Sequence, residues 1–289
     1  MFSKLSTNEI KNFIPFFESK PKFALFANAA KFQVEETLPN HPCDFYHLES
    51  NKAKYFYVFR HDNLSNKSRP ILMIGSHGEV QNDDVSLGLE KIKLVEPNLE
   101  NIEMLLATSD VSGAARKFFI KYYDREKYNN PCYNFYIPQC FENQIKDKLE
   151  EVTLPDNFSI GSTILSDAET LNNTWKFGSS EMLLEIREVL QRLPTVCIYN
   201  ENKPIAFEMV GLHGQLNHQY TFPEFRNQGL GSIVECTIVS KCLKEGIQVV
   251  KSVEATNEEV VKRSSNHPLW RVVKDENEEP LIFDYTHYH

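Results

Sequence analysis

The residues best placed to do chemistry are Arg226, Asn227, Gln228, Gly229, Leu230, Gly231 and Ser232. They lie between a strand-like run ending at Phe222 and a helix-like run over 230–245. A loop with two glycines between strand and helix aims several backbone N–H groups at one spot, and the helix start adds its positive dipole end. That makes an anion site suited to a pyrophosphate. Gly229 and Gly231 have no Cβ, so the backbone can approach phosphates closely. Arg226 adds a charge-assisted contact or helps hold the loop. The same residues could make an ordinary tight turn; the strand before and the amphipathic helix after favour binding. No Gly-Lys-Ser/Thr follows, so this is not a P-loop, and the dinucleotide pattern Gly-x-Gly-x-x-Gly is absent.

Composition bounds the rest. With 289 residues, 41% hydrophobic and 25% charged, the chain reads as a soluble globular protein of one large or two medium domains. A net charge of −9 argues against a broad nucleic-acid surface and fits a small-molecule enzyme or a basic partner. No apolar run approaches the ~20 residues of a membrane span. Neither a secretory h-region nor an Arg-rich presequence is visible, so a cytoplasmic or mitochondrial location is expected. Cys43, Cys132, Cys140, Cys197, Cys236 and Cys242 form no Cys-x-x-Cys pair and have no paired histidines. Buried free thiols are expected, and no metal.

The elements that must position the loop follow from periodicity. In the first half, Ser6-x-x-Glu9 is a capping box opening a helix to about Phe17. Strands are expected over 22–27, 54–60 and 70–76, a hairpin loop over 62–69, and helices over 112–123 and 141–152. His77 reads as a turn histidine. There is no repeat in the sequence, and a domain boundary is expected near Leu154-Pro155, giving 1–154 and 155–289. In the second half, a strand over 158–165 precedes a helix capped by Ser166-x-x-Glu169. A helix follows over 180–193, then strands over 195–199, 204–210 and 215–222, with a hairpin turn at Asn200–Lys203. The helix carrying Leu230, Val234, Ile238 and Cys242 leads to a strand over 248–253. A third capping box, Thr256-x-x-Glu259, opens a short helix, and strands over 270–274 and 280–285 close the chain. The order is β-α-α-β-β-β-α-β-α-β-β.

Arg226-x-x-Gly229-x-Gly231 in this order resembles the acetyl-CoA loop of the GNAT acyltransferase superfamily. Further segments resemble the glycine N-acyltransferase family within it: 171–178 (Leu-Asn-Asn-Thr-Trp-Lys-Phe-Gly), 193–197, 220–230 (Tyr-Thr-Phe-Pro-Glu-Phe-Arg-Asn-Gln-Gly-Leu) and 253–258. The resemblance is specific in the second half and weaker in the first. It implies an α/β (α+β) protein: a C-terminal GNAT fold with a mixed sheet flanked by helices, after a degenerate GNAT-like N-terminal domain. It implies acyl-CoA as co-substrate and an amine acceptor, glycine or another small amino acid. The oligomeric state stays open.

The resemblance also assigns roles. Tyr220, Thr221 and Phe222 would pair with pantetheine amides, 226–232 would hold the pyrophosphate, and Asn257 would contact the CoA arm, although it is equally a helix-start residue. The family's catalytic Glu falls on Gln215, which takes no proton in this range. His218, His213 or Glu254 could act instead, Gln215 could orient water or the amine, or the chain could bind acyl-CoA without turnover. Strand alternation puts His218 on the face opposite Gln215 unless a bulge intervenes. Ser264 or Ser265 could hydrogen-bond the leaving thiolate. Trp175 and Phe177 are expected in the core, and His287-Tyr288-His289 reads as a frayed end. A polyamine or lysine side chain is the alternative acceptor.

Overall fold

The computed structural model describes residues 1–64, 69–124, 128–150 and 152–288. The hairpin loop expected over 62–69, the helix end at 151 and the terminal His289 fall partly or wholly outside them. In chain order the elements are β1 (Phe2–Lys4), α1 (Thr7–Glu18), α2 (Ala24–Val34), β2 (Cys43–Glu49), β3 (Ala53–Arg60), β4 (Ile71–Gly78), α3 (Asn82–Lys93), β5 (Met104–Thr108), α4 (Ser109–Tyr123) and β6 (Tyr128–Tyr136). Next come α5 (Glu142–Glu150), β7 (Phe158–Gly161), α6 (Ala168–Thr174), α7 (Ser180–Arg192), β8 (Thr195–Asn200), β9 (Lys203–Val210), β10 (Leu216–Thr221), α8 (Leu230–Lys244), β11 (Val250–Glu254), α9 (Glu258–Ser265), β12 (Arg271–Val272) and β13 (Ile282–His287). The order β-α-α-β-β-β-α-β-α-β therefore occurs twice, from β1 to β6 and from β7 to β12. The duplication is one of topology, without a sequence repeat to announce it.

Two compact units form: Met1–Phe135 with Ser252–His289, and Tyr136–Lys251. This division differs from one at residue 154, and β13 supplies the reason. It does not stay beside β12 as a simple hairpin. It inserts between β5 and β6, antiparallel to both, with Phe283 opposite Thr108 on one side and Cys132 on the other. The end of the chain is consequently well packed: Tyr288 is buried against Phe119, and the His287 ring stacks on Tyr128 at 4.5 Å. A frayed end is thus corrected for His287 and Tyr288.

The first unit has a mixed sheet, β1-β2-β3-β4-β5-β13-β6, with β12 on β6 and only β4–β5 parallel along the main path. Its core includes Tyr55, Tyr57, Leu72, Leu89, Leu105 and Phe119. The run over 22–27 is helical, not a strand. Ala24, Ala27, Ala29 and Ala30 are strong helix formers, and burial nearly all round erases the period that separates helix from strand. His77 lies in β4 opposite Lys54, its ring 5.5 Å from Phe16, so it is not a turn residue. After β4, the helix α3 opens on Asp83 and Asp84, and Tyr57 crowds Gly88. Acidic groups at a helix start repel an anion, so the start of α3 disfavours one.

The second unit places β7-β8-β9-β10 antiparallel, with β11 parallel to β10. The Asn200–Lys203 turn has φ of +48° at Glu201 and +67° at Asn202, which matches a hairpin turn. The stripe Leu230, Val234, Ile238 and Cys242 on α8 is buried. Two caps differ from the sequence reading. A 3-10 turn over Leu165–Asp167 precedes α6, so Glu169 is not a capping partner and instead sits 3.6 Å from Arg187. In α9 the N-cap is Asn257, not Thr256.

Candidate active site

β10 carries the residues the sequence singles out, and it is not a regular strand. It pairs with β9 at Asn217↔Met209 and again at Tyr220↔Phe207, so His218 and Gln219 together face the single residue Glu208. Two residues against one is a β-bulge. His218 takes φ +54°, a left-handed conformation uncommon outside glycine that costs about 1–3 kcal/mol.

The bulge changes which side chains share a face. Asn217 lies with Met209 and Tyr220 with Phe207, and alternation along β9 puts Met209 and Phe207 together. The His218 ring is 5.2 Å from Phe207 and stacks on Trp175 at 4.9 Å, so it joins this face. Gln215 joins it too: a Cβ on Gly211 would meet both Asn217 Nδ2 and Gln215 Cδ. His218 and Gln215 therefore share a face, and the bulge is the intervening irregularity.

His218 Nε2 lies 3.2 Å from Thr174 Oγ1, whose hydroxyl donates to the Leu171 carbonyl at 2.8 Å. Thr174 then accepts, so Nε2 carries the proton and Nδ1 is an acceptor. Burial pulls the His218 pKa down to about 4, which keeps the ring neutral and weakly basic at pH 7. Neither His218 Nδ1 nor the buried Gln215 Oε1 has a hydrogen-bond partner among the described residues. One face of β10 thus presents two acceptor atoms. Trp175 and Phe177 are not core residues: Trp175 is half-buried on His218, and Phe177 is 47% exposed.

The other edge of β10 leads to the loop over 226–232. β10 pairs with β11 at Leu216↔Lys251 alone, so residues 217–221 continue beyond that ladder with backbone groups to offer a ligand. Tyr220 stacks on Phe207 and meets Phe222 edge-on at 5.2 Å. Arg226 Nε donates to the Thr221 carbonyl at 3.0 Å, and its guanidinium lies 5.8 Å from the Tyr220 ring. Arg226 therefore ties the loop to the strand. Asn227 (φ +64°) and Gly229 (φ +78°) are left-handed, and together they turn the chain into α8. Gly229 is the N-cap and makes no side-chain cap bond, so the leading N–H groups of α8 have no side chain closing them. A Cβ on Gly229 would meet nothing within 4 Å. Leu230 is buried and pins the helix start, while Asn227, Gln228 and Ser232 are exposed and Gly231 is half-buried.

Residues 215–232 are one continuous piece of the second unit. Asn257 belongs to the first unit, where its Oδ1 accepts from Val260 N at 3.4 Å as the cap of α9. Ser264 is buried and Ser265 exposed on that helix.

One residue escapes the sequence reading. Glu208 is only 4% exposed and faces the bulge. Its Oε2 accepts from Gln219 Nε2 at 3.2 Å, and Gln219 also donates to the Gly231 carbonyl at 3.2 Å. Burial, with the charge of Glu235 second, pushes the Glu208 pKa up to about 8, against the pull of Lys251 and Gln219. Lys251 Nζ and Glu235 Oε2 are 3.2 Å apart. A signal was present: one acid inside the apolar run Ile205-Ala206-Phe207-Glu208-Met209-Val210. Elsewhere, Asp44, His61 and Glu96 in the first unit form the one group of potential metal donors among the described residues. Lys4 Nζ at 2.6 Å and His61 Nε2 at 3.1 Å already engage Asp44, and Tyr46 donates to Glu96.

No protein-family profile matches the chain. Its similarity to known proteins is first one of fold: a mixed α/β chain. An X-ray structure of a Drosophila protein, a structural-genomics target, shares this fold with a TM-score of 0.74 at 14% identity, over 100% of this chain and 98% of that one. The particular likeness is to glycine N-acyltransferases. The Bos taurus enzyme is 30% identical over 114 residues, 39% of either chain, and the Homo sapiens enzyme 29% identical over 109 residues, 37% of either. The match spans under two fifths of the length of these curated relatives.

Proposed function

We propose that this protein is an N-acyltransferase that moves an acyl group from acyl-CoA to the amino group of glycine or another small amino acid. The observation that carries the proposal is the strand edge at 217–221 running directly into an uncapped helix start at Gly229. Pantetheine amides pair along Tyr220, Thr221 and Phe222. The pyrophosphate sits on the loop over 227–232, with Arg226 beside it. Gln215 Oε1 and His218 Nδ1 accept N–H groups of the incoming amine and orient its lone pair. The likeness to glycine N-acyltransferases supports the choice of acceptor.

A second reading has its own support. Gln215 stands where the resembled family has Glu, which favours acyl-CoA binding without turnover. The net charge of −9 suits a polyamine or lysine acceptor. One experiment separates these: CoA release from acetyl-, benzoyl- and long-chain acyl-CoA with glycine, other amino acids and spermidine. Release that depends on glycine supports the proposal. Release with spermidine alone gives a different acceptor, and binding without release gives the non-catalytic reading.

A further inference from the structure

We propose that Gln219 is a positioning residue for acyl-CoA: from the bulge in β10 it fixes the start of α8, and with it the loop over 227–232, against the strand edge at Tyr220, Thr221 and Phe222. The inference rests on the acyl-CoA reading above.

The bulge gives two consecutive residues to two sides of the sheet. In a regular strand Gln219 would share the face of Asn217, two residues before it. Instead His218 turns to Phe207 and Trp175, and Gln219 turns to Glu208 and α8. Its Nε2 donates to the Glu208 carboxylate and to the Gly231 carbonyl, each at 3.2 Å. An amide NH2 has two hydrogens, so it matches these two acceptors. Glu208 is buried within β9 and makes a fixed anchor. Gly231 is the second residue of α8.

The loop is thereby tied to β10 at both ends. Arg226 Nε donates to the Thr221 carbonyl at 3.0 Å where the loop begins, and Gln219 holds the Gly231 carbonyl where it ends. Helix and strand come close here, since a Cβ on Gly231 would lie 3.7 Å from Thr221 Oγ1. Backbone pairing does not supply this connection, because β10 and β11 pair at Leu216↔Lys251 alone. Beyond that point side chains join the elements. Gln219 reaches α8 from β10, and Lys251 reaches it from β11, with Nζ 3.2 Å from Glu235 Oε2, one turn past Gly231.

The test is titration of wild type, Gln219→Met and Gln219→Glu with CoA and with pantetheine, which has the same amides and thiol but no pyrophosphate. Gln219 is exposed, so both substitutions leave the core intact. Met occupies similar space without donating a hydrogen bond. Gln219→Met is expected to raise the Kd for CoA roughly 2–12-fold, the worth of one neutral hydrogen bond, and to leave that for pantetheine unchanged. Gln219→Glu sets a charged acceptor against two acceptors and is expected to lose more CoA affinity than Gln219→Met. Amide hydrogen exchange over 230–236 in the free proteins is expected to be faster in both variants, a readout that needs no ligand. Unaltered CoA affinity or unaltered exchange in Gln219→Met overturns the role of Gln219 and leaves the acyl-CoA reading standing. An equal loss for CoA and pantetheine also overturns it, because the strand edge rather than the loop has then been disturbed. Wild type that binds neither molecule overturns the acyl-CoA reading and this inference with it.

Discussion

Gly229 offers the sharpest separation of stability from binding. Its φ of +78° costs an L-residue about 1–2 kcal/mol. The smaller entropy of an unfolded chain with alanine returns about 0.4–1 kcal/mol. Gly229→Ala is therefore expected to lose about 1 kcal/mol, or roughly 2–6 °C in Tm. Gly229→Trp is expected to lose a similar amount, because a Cβ there meets nothing within 4 Å and the ring can extend into open space. That space is where a pyrophosphate would rest. Each charge-assisted hydrogen bond forfeited costs about 1.5–3 kcal/mol, which is ~10–150-fold in Kd. Titration calorimetry with acyl-CoA and thermal unfolding by circular dichroism read the two effects separately. The expected result is a folded Gly229→Trp protein with no measurable affinity and a Gly229→Ala protein of intermediate affinity. A folded Gly229→Trp protein with wild-type affinity refutes the loop as the anion site.

Other consequences follow from the same geometry. The folded pKa of Glu208 is raised to about 8, so its contribution to stability is complete below about pH 4 and is lost as pH climbs to 8. Denaturant titrations should show this loss in wild type and not in Glu208→Gln. His218 has the opposite sense: its folded pKa is lowered to about 4, so stability falls as pH drops from about 6.5 toward 4, and His218→Phe should flatten that fall. Asn257→Ala should remove a helix cap worth about 0.5–2 kcal/mol, read as a lower denaturation midpoint. Deleting residues 282–289 removes the strand between β5 and β6, and should leave the first unit open to limited proteolysis.

The second half of the chain was the more legible because its signals are local. Two glycines with an Arg, a stripe at helical spacing and a polar hairpin turn each act within a few residues. Strands β8 to β10 and helices α7 and α8 fall close to where periodicity puts them. What stayed hidden depends on partners distant in sequence. The bulge at His218 is set by its register against β9 and leaves no mark in β10 itself. The place of β13 is decided by strands more than a hundred residues earlier. Helix α2 reads as a strand because an element buried on nearly all sides has no polar face to set its period. Glu208 was visible as a lone acid in an apolar run, but its meaning depends on Gln219, Glu235 and Lys251 being gathered around it.

The central claim is acyl transfer to an amino acid at β10 and its anion loop, and mass spectrometry of the product tests it most directly. Purified protein would be incubated with benzoyl-CoA and glycine, with Gly229→Trp in parallel. The account predicts that N-benzoylglycine and free CoA accumulate in equal amounts with wild type and not with the variant. Free CoA without the conjugate, or conjugate formed equally by both proteins, would contradict it.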